Sequence, residues 1–115
     1  MDDAQFFIDD GYFEQGHIDA LSGVHGPLDF VFRPMIHADK EAYFAAARAP
    51  GATPSAVMAQ FVAEHVRSWS LARPLDSANL QRLRPRLLER LFHIVMGESA
   101  SDLTLADREA ADLKN

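Results

Sequence analysis

The sequence predicts a mainly helical α+β domain, an N-terminal β-hairpin followed by a small helical bundle, and three observations predict it. Leu28 to Arg33 alternates, with Leu28, Phe30 and Phe32 on one face and Asp29, Val31 and Arg33 on the other, as a half-buried strand requires. Val57, Met58, Phe61, Val62, Val66 and Trp69 keep helical spacing for four turns. A leucine-rich run from Leu80 to Met96 closes on Gly97, a residue that ends helices without steric cost.

Taken in order, residues 1–11 mix acids with the apolar cluster Phe6-Phe7-Ile8 and read as a short edge strand or an arm. The hairpin occupies about residues 12–33: strand-like runs from Tyr12 to Leu21 and from Leu28 to Arg33 flank the turn-rich Ser22-Gly23-Val24-His25-Gly26-Pro27. Pro34 ends the second strand because it has no ladder donor. A helix over about 38–49 carries acids in its first turn and alanines in its body, and Pro50-Gly51 stops it. Thr53 as N-cap and Pro54 at the first helical position open a second helix over about 54–69.

Ser70 to Pro74 is a connector. Asp76 or Ser77 then caps a short helix through Leu83, and Pro85 starts or kinks the next, so that helical structure extends over about 77–96. One domain over 1–97 results, with Phe30, Phe32, Phe61, Val62, Leu87, Leu91 and Val95 expected in its core. Residues 98–115, polar and acidic apart from Leu103, Leu105 and Leu113, read as a flexible tail.

Composition narrows the function. A chain of 115 residues with 48% hydrophobic and 24% charged residues can build one core and lies outside the disordered range. It has no cysteine, which rules out a disulfide framework and thiolate metal ligation. No apolar run approaches the ~18 residues that span a bilayer, so no membrane association is expected. The net charge of -6 is unevenly placed: nine acids against three bases through Pro50, then eight of each sign. Within the neutral half, Arg67, Arg73, Arg82, Arg84, Arg86 and Arg90 make a locally basic stretch, either a solvated helix face or a surface for an acidic protein partner. The overall acidity disfavours nucleic acid.

Chemistry-bearing motifs are sparse. His17, His25, His37, His65 and His93 form neither HExxH nor HxH spacing, so no metal is expected. Gly23 and Gly26 belong to a hairpin turn rather than a phosphate-cradling loop, and no nucleotide or other cofactor is expected. No serine lies in a strained nucleophile elbow, and the Asp9-Asp10 pair sits in a solvated acidic segment. The chain therefore reads as non-enzymatic, a module that binds.

Trp69-Ser70-Leu71 closing a helix, then Pro74-Leu75, Leu80-x-x-Leu83-x-Pro85-x-Leu87-Leu88 and Ile94-Val95-x-Gly97 resemble the tail assembly chaperones of long-tailed bacteriophages and prophages. Phe30-Val31-Phe32-Arg33-Pro34 ahead of an acidic, alanine-rich helix is also similar, so the likeness covers roughly Gly11 to Gly97. It implies a non-catalytic holdase of the host cytoplasm that coats the tape measure protein while the tail is built and leaves before the virion matures. The tail tube subunit is a further candidate partner, and a homo-oligomer stays open.

A reversible apolar surface on an acidic body is the physical requirement for that role. Phe6, Phe7 and Ile8, with no core role in the pattern, and Trp69 with Leu71, able to anchor a groove, are the candidate partner-binding residues, joined by Arg84, Arg86 and Arg90. Trp69 equally reads as a core plug at a helix end. A structural tail-completion or connector component of the virion, or a small protein-binding adaptor, has the same sequence signature.

Overall fold

The computed structural model describes residues 5–114; the expectations that fall on residues 1–4 and 115 lie outside the described residues. The fold is α+β and mainly α. Strands β1 (Glu14–Ile18), β2 (Leu28–Phe32) and β3 (Val66–Trp69) form one antiparallel sheet in the order β1-β2-β3. Helices α1 (His37–Arg48), α2 (Pro54–His65), α3 (Ser77–Leu80), α4 (Pro85–Met96) and α5 (Leu105–Lys114) complete it.

The β1-β2 hairpin pairs Glu14 with Phe32, Gly16 with Phe30 and Ile18 with Leu28, so Leu28, Phe30 and Phe32 all point into the core. Its first strand is shorter than the Tyr12 to Leu21 run. Leu21 exchanges both of its backbone bonds with His25 inside the turn and so leaves the ladder. Arg33 donates its N–H to His65 rather than to β1, and Pro34, lacking a donor, follows.

The third strand departs from the sequence expectation of one helix over about 54–69. Helix α2 stops at His65, and the chain turns directly into β3. Val66 pairs with Phe32, Ser68 with Val31 and Trp69 with Phe30, which leaves Arg67 as an extra residue in a bulge. The bulge puts Val66 and Trp69, three apart, on the same face of the sheet. Three is also a helical spacing, so the apolar pattern is the same in both structures.

The caps follow local chemistry. Pro54 opens α2, although the Thr53 side chain makes no capping bond. Asp39 accepts from the Ile36 N–H at 3.0 Å at the start of α1, and Asp76 accepts from the Asn79 N–H at 2.8 Å at the start of α3. After Leu80 the helix tightens into i to i−3 bonds that end at Leu83. Helix α4 ends in a Schellman motif: Gly97 takes φ 86°, its N–H donates to Ile94, and the Glu98 N–H donates to His93.

The core lies between the sheet and helices α2 and α4. All seven residues expected there are buried, with Ile18, Leu28, Leu80, Leu88, Phe92 and Ile94 beside them. Tyr43 carries α1 into this layer, its ring edge-on to Phe61 and 4.8 Å from Phe92.

The segment after Gly97 differs from the expected flexible tail. Ser99, Ala100 and Asp102 are bonded to the body, and Thr104 and Asp107 cap each other's backbone N–H at the start of α5. That pair is a capping box, a signal present in Thr104-Leu105-Ala106-Asp107. Leu103 and Leu113 nevertheless stay exposed.

Candidate functional site

Two apolar surfaces and one polar cluster stand out. The first surface is a groove of about 410 Å³ where the end of β3 meets the connector and α3. Trp69, Leu71 and Leu83 line it, and Arg73, Arg82 and Arg84 stand around it. Trp69 is half-buried: its ring packs on the core while its Nε1–H donates to the Arg73 carbonyl at 2.8 Å. That bond, with Asn79 Nδ2 donating to Pro74 at 2.9 Å, pins the connector and holds Leu71 out toward solvent at 38% exposure. One face of Trp69 therefore lies on the core and the other lines the groove.

The second surface is the arm. Phe6 is 77% exposed and Phe7 58%, whereas Ile8 is half-buried at the head of a short 3-10 turn, Ile8–Asp10. With Tyr12 and Ile36 they line a hollow of about 580 Å³. The arm joins β1 beside Glu14, which pairs with Phe32, whereas the groove includes His25 and Gly26 of the hairpin turn beyond Leu28. The two surfaces thus lie at opposite ends of the sheet.

Of the arginines expected to meet a partner, the structure brings only Arg84 into the groove. Arg86 is exposed beside a separate hollow that it shares with Asp19 and Arg90. Arg90 is engaged within the chain: its guanidinium donates to Ser99 Oγ at 2.8 Å, to the Ala100 carbonyl at 3.0 Å and to Asp102 at 3.0 Å. It holds the segment after α4 in place, and that contact competes with any role toward a partner. Arg73 and Arg82 of the basic stretch, and Leu83, also belong to the groove, because the folding of the connector back against α3 brings them to Trp69.

The polar cluster joins β1 to the last segment. His17 lies between Asp29 (Nδ1, 2.7 Å) and Asp19 (Nε2, 3.0 Å). Asp19 is also bonded to Arg108 of α5, and its N–H donates to the Asp102 carboxylate at 2.9 Å. The Asp102 N–H in turn donates to the His17 carbonyl at 2.7 Å, covering part of an edge that would otherwise offer a strand template. Ser70 lies close by, but its Oγ accepts from the Asp29 N–H at 3.0 Å, and both imidazole nitrogens face carboxylates. The ring has no nitrogen free to take a proton from a hydroxyl, so the arrangement acts as a latch.

The Asp29 hydrogen bond raises the His17 pKa, partial burial opposes it, and Asp19 adds to the rise. The Arg108 hydrogen bond lowers the Asp19 pKa, with burial opposing and His17 assisting. A raised histidine contributes stability that is fully present below its ordinary value of 6.5 and is lost as pH rises through the folded value. A lowered carboxylate contributes above its ordinary 3.8 and loses that contribution as pH falls through the folded value. The latch is therefore tightest between those two ordinary values. Wild type should melt above His17→Gln at about pH 6, and the gap should narrow by about pH 9. An equal gap at both would show that folding does not raise the His17 pKa.

Among the described residues no group of histidine, aspartate and glutamate side chains is placed to hold a metal ion, and no helix is long and apolar enough to cross a membrane. Comparison with protein-family models, with curated proteins and with solved structures finds no match to this chain.

Proposed function

We propose that this chain is a non-catalytic tail assembly chaperone of a long-tailed bacteriophage or prophage, which binds the tape measure protein reversibly in the host cytoplasm and is absent from the mature virion. The observation that carries the proposal is the pairing of exposed apolar surfaces with an acidic body. Phe6 and Phe7 stand in solvent at one end of the sheet and Leu71 at the other, beside a half-buried Trp69, on a chain of net charge -6. Apolar surface provides grip on an aggregation-prone client. Like charge keeps chaperone and client complexes apart from one another. The motif likeness between Gly11 and Gly97 supplies the identity of the client.

Co-expression with the tape measure protein of the same phage or prophage tests it. Full-length chain is expected to raise the soluble fraction of that protein and to co-purify with it. The Phe6→Ser/Phe7→Ser and Trp69→Ala variants are expected to lose most of this. The arm variant should keep its melting temperature, because exposed segments contribute little to global stability. A wild-type chain that neither binds nor solubilises the client refutes the chaperone reading, and its recovery in purified virions points instead to a connector component.

A further inference from the structure

We infer that residues 98–114 are a displaceable strap, lying where the free edge of β1 binds an extended, basic peptide segment of another protein. Strand β1 is an outer strand of the sheet. In an antiparallel pair alternate residues turn their N–H and C=O away from the partner strand. The His17 C=O and the Asp19 N–H, both bonded to Asp102, mark that outward set, to which Gln15 also belongs. Asp102 donates its N–H to the first at 2.7 Å and accepts from the second through its carboxylate at 2.9 Å. One residue thus answers an acceptor and a donor that a partner strand would take up, its carboxylate standing in for a strand carbonyl. Arg108 does the same at side-chain level by placing its guanidinium on the Asp19 carboxylate. An extended backbone with a basic side chain is the ligand these contacts describe, and adding a strand to a sheet edge is a general mode of peptide recognition.

Space and charge agree. Asp102 is a shared wall of two hollows of about 340 Å³ each, one reaching Gln15 and His17 and the other running from Ile18 to Leu21. Lifting it joins them along β1. The path from Gln15 to Ala20, about 17 Å at about 3.3 Å per residue, accommodates about five extended residues. Glu14, Asp19 and Asp29 lie on or beside this path, in the half of the chain with nine acids against three bases. Departure of the strap takes Arg108 from Asp19, and a basic side chain from outside restores the pair. The strap's ion pairs to the body are partly open to solvent: Arg90 and Asp102 are 31% and 33% exposed, Arg108 and Asp19 48% and 44%. Contacts of this kind contribute little each. The inference is independent of the chaperone reading, because it is tested without any tape measure protein.

Calorimetric titration and amide NMR on the full chain are the test, with the blocked synthetic peptide Thr-Val-Thr-Arg-Thr-Val-Thr as probe. A closed strap leaves only a fraction of chains with a free edge and lowers apparent affinity by that fraction, so the opened variant Asp102→Ala/Arg108→Ala should bind at least about tenfold tighter than wild type. Peptide should shift the Gln15, His17 and Asp19 amides of that variant and slow their exchange with solvent. Adding Asp19→Asn to the opened variant, or replacing the peptide's arginine with glutamate, should remove most of the gain. A peptide N-methylated at alternate amides, which cannot donate to the edge, should not bind. In wild type, excess peptide should move the Asp102 and Arg108 amides as the strap leaves, a readout that stands even where the double variant is unstable. Equal affinity of wild type and a folded opened variant overturns the inference. So does undiminished binding of the N-methylated peptide, a wild-type strap unmoved by saturating peptide, or an opened chain that dimerises through β1 and binds no peptide, which would assign the edge to a second copy.

Discussion

Replacing Leu91 with alanine is expected to lower the unfolding free energy by about 2 to 5 kcal/mol, the range for truncating a buried leucine. Leu91 has no solvent exposure and lies on α4, whose inward face also supplies Leu87, Leu88, Ile94 and Val95. The loss has two sources: the transfer of the missing methyl groups and the cavity left behind. Collapse into that space is restrained because Met35 ties the chain after β2 to Val95 through a backbone bond of 3.0 Å at the end of the same helix. For a small domain of typical stability this is a large share of the total. Urea unfolding monitored by circular dichroism measures it as a shift in midpoint at constant slope. A change within error would mean that α4 turns another face to the core.

The second large effect is expected at Gly16. This residue pairs with Phe30 across the hairpin, and the Phe30 ring lies directly over its Cα. A Cβ added at Gly16 would overlap the ring, so the ring or the strand must move. Phe30 has little room: it is 3% exposed, its ring centroid is 5.4 Å from that of Phe32, and its backbone pairs with Trp69 on the other side. Gly16→Ala is therefore expected to cost about 1 to 3 kcal/mol, the range for overpacking a filled core. Adding Phe30→Leu should return part of that loss. A double-mutant cycle that finds the two changes additive would show that the ring does not depend on the missing Cβ. An aromatic side chain covering a cross-strand glycine is a known way of completing a sheet face.

Much of the fold is legible in the sequence because local rules and global packing agree. The alternation of Leu28, Phe30 and Phe32, Pro54 at a helix start and Gly97 at a helix end each specify their structure within a few residues. The third strand is not legible. The bulge at Arg67 gives Val66 and Trp69 a spacing that helix and strand share, and only pairing with β2 selects the strand. Burial separates the two structures, and burial is a property of the partner element.

The candidate site divides the same way. Sequence alone determined that the chain offers an acidic apolar arm, one tryptophan and a basic stretch, with no thiol chemistry, because residue type fixes charge and chemistry. Only tertiary structure decided which of these act together. It placed Arg84 at the Trp69 groove, gave Arg90 to the segment after α4, and set the arm at the opposite end of the sheet. It also assembled His17, Asp19, Asp29, Asp102 and Arg108 from three separate stretches of the chain. The reason is distance. A hydrogen bond needs its partners within about 3 Å, and for residues such as Asp19 and Arg108 that proximity is created by the packing of remote elements, not by their spacing in sequence.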